Sequence, residues 1–153
     1  MQRLNVTVAA LLLGGVLTAQ AADHDAAFLP AELLGSNAEY REAWQELLSD
    51  EQRLPDWLIN LSGPSTSIQV VEVDSDRYLV GQVCEAHNCF AQRVYVAFEW
   101  QDDDAYALYV QVPDGLAEDR APSEHASLRW LGDPNEEIRR MLLEQLRSDP
   151  NWY

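Results

Sequence analysis

The apolar positions of this chain follow two different periods. Tyr40, Ala43, Trp44, Leu47 and Leu48 recur at i, i+3, i+4, i+7 and i+8, which places them on one face of a helix. Ser36-Asn37-Ala38-Glu39 ahead of them has the form of a capping box, so this helix is expected to open at Ser36. After Leu54-Pro55-Asp56-Trp57-Leu58, the breaker cluster Ser62-Gly63-Pro64-Ser65 ends helical periodicity and hands over to β-rich sequence. Residues 68–73, 77–84, 89–100 and 105–112 are rich in Val, Tyr and Phe, and the short polar turns between them imply antiparallel pairing. In the third run Val94, Val96, Phe98 and Trp100 alternate with Tyr95, Ala97 and Glu99, giving one strongly apolar face for the helices to cover. A last helix is expected at Asp133-Pro134-Asn135-Glu136, with Asp133 as cap and Pro134 in the first turn, where a missing N–H costs nothing. Its stripe is Ile138, Met141, Leu142 and Leu146, and Pro150 stops it. The pattern is α+β: an antiparallel meander packed against flanking helices.

Length and charge narrow the function classes. At 153 residues the chain is read as one domain, and 47% hydrophobic with 24% charged residues is the balance of a folded globular protein. Asp and Glu number 26 against 10 basic residues, all arginine, for a net charge of −16. Nucleic acid and anionic lipid surfaces are poor partners for such a chain. Met1-Gln2-Arg3, an apolar run over 8–17 and Ala19-Gln20-Ala21 read as a cleaved secretory signal covering residues 1–21, with the mature domain over 22–153. No membrane anchor is expected, because the apolar run is short and no stretch of about 20 apolar residues follows. The cleavage junction carries no cysteine to accept a lipid.

Candidate chemistry concentrates in Cys84-Glu85-Ala86-His87-Asn88-Cys89. These two cysteines are the only ones, and an exported chain meets an oxidising compartment, so a disulfide across the meeting point of two β runs is expected. So small a ring stabilises a fold by only roughly 2 kcal/mol. Preorganisation is the better use: the enclosed residues, His87 above all, do not lose their ordering entropy again on binding. A stapled, solvated turn is the plain alternative. A zinc site using Cys84, His87 and Cys89, with His125 as a fourth ligand, is another, although the spacing matches no common zinc motif and oxidation removes both thiolates. The C-x-x-C pattern of redox catalysts is absent. Asp102-Asp103-Asp104 lacks the Gly and Glu of a calcium loop and reads as a solvated hairpin turn. No hydrolase motif or carboxylate pair stands out, and Trp44, Trp57, Trp100 and Trp130 lie in apolar patterns as core residues.

The loop is similar to the C-K-P-H-D-C loop of Ivy, the family of bacterial periplasmic inhibitors of vertebrate lysozyme. Leu54-Pro55-Asp56-Trp57 resembles that family's L-P-x-W segment, and Gln92-Arg93 follows the second cysteine as its Q-R pair does. Two departures stand out: Glu85-Ala86 where the pattern has Lys-Pro, and Asn88 where it has Asp. The resemblance implies an α+β domain in the periplasm whose protruding loop enters the cleft of a basic C-type lysozyme, with His87 as the inserted residue. On that reading the chain has no catalytic residues, cofactor or metal of its own, and a homodimer stays open. Other classes to be distinguished from it are a small exported metal carrier and a glycan-active envelope enzyme.

Overall fold

A computed structural model describes residues 28–153 apart from Asp102, Asp103 and Glu118, so the expected signal segment lies outside the described residues. Three helices come first: α1 (Pro30–Ser36), α2 (Ala38–Ser49) and the single turn α3 (Asp56–Ile59). Strands β1 (Gln69–Val73), β2 (Asp76–Cys84), β3 (Gln92–Glu99) and β4 (Ala105–Gln111) follow, then a 3₁₀ turn at Pro122–Glu124, β5 (Ser127–Leu131) and α4 (Glu136–Arg147). The strands pair antiparallel in chain order, β1-β2-β3-β4-β5, which is the meander that the short polar connections imply.

The helix starts differ from the expectation. Ser36 is the last residue of α1 and its hydroxyl donates back to the Glu32 carbonyl at 2.8 Å, so it cannot cap the next helix. Asn37 takes that role, its Oδ1 accepting from the Glu39 N–H at 2.8 Å, and Asn is as good a cap as Ser. Likewise α4 is capped by Asn135, whose Oδ1 accepts from Glu137 and Ile138, while Asp133 sits outside with a left-handed φ of 49°. Pro134 therefore precedes the cap and does not occupy the first turn.

The sheet is covered on both faces, not one. Val83, Val94, Val96, Phe98 and Tyr109 point to one side, where Leu33, Leu34, Trp44, Leu47, Leu58 and Leu61 from α1 to α3 and the turn after it bury them. Tyr78, Val80, Tyr95, Ala97, Leu108 and Val110 point to the other, under the Ile138, Met141, Leu142 and Leu146 stripe of α4 and under Trp152. Six consecutive residues of β3, Arg93 to Phe98, are buried in consequence. The indole of Trp44 is 2% exposed and donates to the Ile59 carbonyl at 2.9 Å, tying α2 to the end of α3. Trp100 departs from its expected core position: β3 ends at Glu99, and the ring lies at the surface with the Arg77 guanidinium 4.6 Å above it. Trp57 and Trp130 are half-buried.

Candidate functional site

The connection between β2 and β3 holds the six residues singled out in the sequence. Cys84 closes β2 and pairs in register with Arg93, so Cys89 is not its cross-strand neighbour but lies within the connection. The two sulfurs are bonded, with Cα atoms 4.8 Å apart. Inside the ring the Asn88 N–H donates to the Glu85 carbonyl at 3.0 Å, and His87 has φ 66°. A four-residue turn with positive φ at its third residue has the form of a type II turn. That position usually takes Gly or Asn; His is one of the few other side chains enriched there. Ala86 and His87 are exposed at the tip, while Glu85, Asn88 and Cys89 are half-buried and Cys84 is buried. Asn88 Nδ2 donates to Glu85 Oε2 at 2.8 Å, bracing the ring from inside with two of the three residues that depart from the family pattern.

The ring stands on a stem clamped from both sides. The Glu85 N–H donates to the Gln92 carbonyl at 3.0 Å, and Ala91 and Gln92 donate back to the Asn88 carbonyl. Gln92 and Arg93 are neighbours on a strand, so their side chains leave opposite faces of the sheet. On one face Gln92 Oε1 accepts from the Tyr109 hydroxyl at 2.5 Å, and Trp57 packs edge-on against Tyr109 with centroids 6.1 Å apart. Burial holds the Tyr109 phenol above its ordinary pKa and the nearby Glu85 charge adds to that, so the phenol is a neutral donor. On the other face the Arg93 guanidinium, 4% exposed, pairs with Asp149 and lies 5.6 Å from the Trp152 ring centroid. A third support comes from residues 64–66: Cys84 donates to the Pro64 carbonyl at 3.0 Å and Thr66 to the Gln82 carbonyl at 2.9 Å. Gly63 makes that approach feasible, since a Cβ there would lie 2.0 Å from the Cys84 carbonyl oxygen.

The three sequence fragments that carry the resemblance thus meet at one place. Leu54-Pro55-Asp56-Trp57 supplies the ring against Tyr109, Gln92-Arg93 supplies the two clamps, and the cysteine ring rides on both. The family profile described as inhibitor of vertebrate lysozyme (Ivy) matches residues 39–148. The chain belongs to the Ivy family. Among its relatives is a Pseudomonas aeruginosa protein named inhibitor of vertebrate lysozyme, 37% identical over 145 residues that cover 92% of each chain. A second protein of the same bacterium, named only as uncharacterised, is 52% identical over 146 residues and 94% of each chain. An uncharacterised Yersinia pestis protein is 35% identical over 122 residues, 80% of this chain and 79% of its own. The family match begins at Glu39 and so takes in nearly all of α2, the whole sheet, the Ivy loop and the Gln92–Tyr109 clamp, and it ends one residue short of Asp149, the ion-pair partner of Arg93.

The other sequence candidates lie elsewhere. His125 is exposed at the end of the 3₁₀ turn, and among the described residues no group of three His, Cys, Asp or Glu converges into a metal-holding cluster. The disulfide also takes both thiolates from the zinc alternative. Asp104 is exposed and its carbonyl accepts from Glu99 across the β3–β4 turn, whereas Asp102 and Asp103 lie outside the described residues. Sequence reasoning missed Tyr109, Asp149 and Trp152 as parts of the stem. Their one advance signal is that Gln92 and Arg93 are polar residues at the mouth of an apolar strand and need partners when buried.

Proposed function

We propose that this Ivy-family chain is an exported inhibitor of C-type lysozyme, working in the periplasm, and that it inserts the Cys84–Cys89 ring into the enzyme's cleft with His87 leading. The observation that carries this reading is the exposed imidazole of His87 on a covalently closed, doubly clamped turn. Lysozyme cleaves glycan with two carboxyl groups, one protonated as general acid and one ionised. An imidazole offers a ring N–H donor, or two when protonated, so it can hydrogen-bond to such carboxyl groups while filling the space of a sugar ring.

Inhibition of this kind requires no reaction by the inhibitor. Its strength depends on how little order is lost on docking, and a turn already held by one disulfide, one side-chain bond and two clamps loses little. The Glu85 carboxylate is the feature that opposes docking onto acidic groups. One of its oxygens accepts from Asn88, which turns part of that charge inward. The chain's net charge of −16 draws it toward a basic enzyme and raises the encounter rate.

The test is inhibition of hen-type lysozyme by the mature protein and by His87→Ala. The variant is expected to keep its circular dichroism spectrum and to lose at least about 2 kcal/mol of binding, the usual threshold of an interface hot spot. Near-wild-type inhibition by a folded His87→Ala protein would overturn the mechanism. Turnover of peptidoglycan that depends on a particular Asp or Glu would overturn the class.

A further inference from the structure

We infer that Phe90 and Tyr153, which flank a groove beside the ring, form a second anchor on the same enzyme that takes the loop; this rests on the reading of the loop as inhibitory. Phe90 follows Cys89 directly and is 49% exposed, and Tyr153 is 71% exposed. Between them runs a groove of about 510 Å³ walled by Leu116, Pro122 and Pro150 together with the polar Asp119, Arg120 and Asn151. Both aromatics sit next to fixed backbone. The Ala91 carbonyl accepts from Val112 at 2.8 Å beside Phe90, and buried Trp152, whose carbonyl accepts from Ser123 at 3.0 Å, holds the segment that carries Tyr153.

Area makes the case for a second contact. A stable protein interface buries about 800 Å² on each partner. The exposed tip is Ala86 and His87, and even a buried aromatic side chain covers only about 150–250 Å². The ring alone falls well short, and the adjacent surface has to supply the rest. Aromatic side chains at the rim of a groove are the type that supplies it, with two χ angles to fix and large area to bury. A second copy of this chain is a poorer occupant, because it brings the same charge of −16, whereas a basic enzyme is complementary.

The experiment compares wild type, His87→Ala and the Phe90→Ala/Tyr153→Ala double variant against hen-type lysozyme, by inhibition and by binding kinetics. The double variant is expected to unfold at the wild-type temperature and to bind at least tenfold more weakly. The loss should lie in a faster dissociation rate, with the association rate and its salt dependence unchanged. Phe90→Tyr with Tyr153→Phe should keep wild-type binding, which marks the contact as aromatic area and not as a single hydrogen bond. If wild type inhibits, His87→Ala fails and the double alanine variant stays within twofold of wild type, the second anchor is overturned and the loop reading stands. If the double variant changes self-association and leaves lysozyme binding intact, the flank joins copies of the chain and the inference is again overturned. If wild type does not bind lysozyme at all, the loop reading falls and takes this one with it.

Discussion

A single positive φ at His87 decides how the candidate site is presented. In a type II turn the third residue must adopt a left-handed backbone, and the second residue sits near the φ that proline fixes. Ala86 occupies that second position, where the family pattern has proline. Ala86→Pro is therefore expected to fit without strain and to stabilise the protein by about 0.4–1 kcal/mol through the unfolded chain, with equal or tighter lysozyme inhibition. Thermal unfolding of the variant checks this, and a fall in the midpoint would show that the turn does not have the assumed form. The ring was legible in the sequence because its residues are contiguous and bracketed by the only cysteines. The clamps were not, since Tyr109 lies 17 positions from Gln92 and Asp149 lies 56 from Arg93. A linear pattern carries no information about which distant polar group satisfies a buried one.

At the scale of elements, β3 binds the two layers and the site together. The alternation in its sequence gave the correct first face, while Tyr95 and Ala97 were the concealed second face. The α4 stripe Ile138, Met141, Leu142 and Leu146 was read correctly and is the cover for that face. β5 escaped notice because Ser127-Leu128-Arg129-Trp130-Leu131 is short, carries a charge, and gains its strand character only by pairing with β4. α1 escaped because a seven-residue helix has too few turns to show a period. Trp100 was misplaced because apolar alternation runs one residue beyond the last paired position.

The segment after α4 predicts an acid sensitivity. Burial pushes the Asp149 carboxyl up, but the Asn151 N–H and the Arg93 guanidinium outweigh it and leave its pKa below the ordinary value. A depressed folded-state pKa means that the unfolded chain binds more protons in the window below about 3.9, the ordinary Asp value. The contribution of this pair is thus complete above that value and is lost as pH falls through the folded one. Asp149→Asn should be less stable than wild type at pH 7, and the gap should close as pH drops below about 4. Urea unfolding of both proteins from pH 7 to 3 measures it, and a gap independent of pH would remove the ion pair from the account.

On the scale of the whole molecule, charge is the property that the sequence states most openly and the fold explains least. Asp and Glu outnumber Arg by 26 to 10, and no motif absorbs the excess. A steering role makes a quantitative demand. Association with a basic lysozyme should slow steeply as salt rises from low ionic strength to about 0.15 M, where the screening length shortens to about 8 Å, while dissociation stays nearly constant. Stopped-flow or surface-based kinetics across that range reads it directly. A flat association rate would leave the acidity to solubility alone.

The ring is an outgrowth between two central strands, and the braces that hold it, Gln92, Arg93 and Gly63, belong to the scaffold and not to the tip. The exposed tip residue Ala86 can therefore change without disturbing the core. Such an arrangement behaves as a tool holder with an exchangeable bit: the frame stays as it is, and a change at the tip alters only what the bit meets.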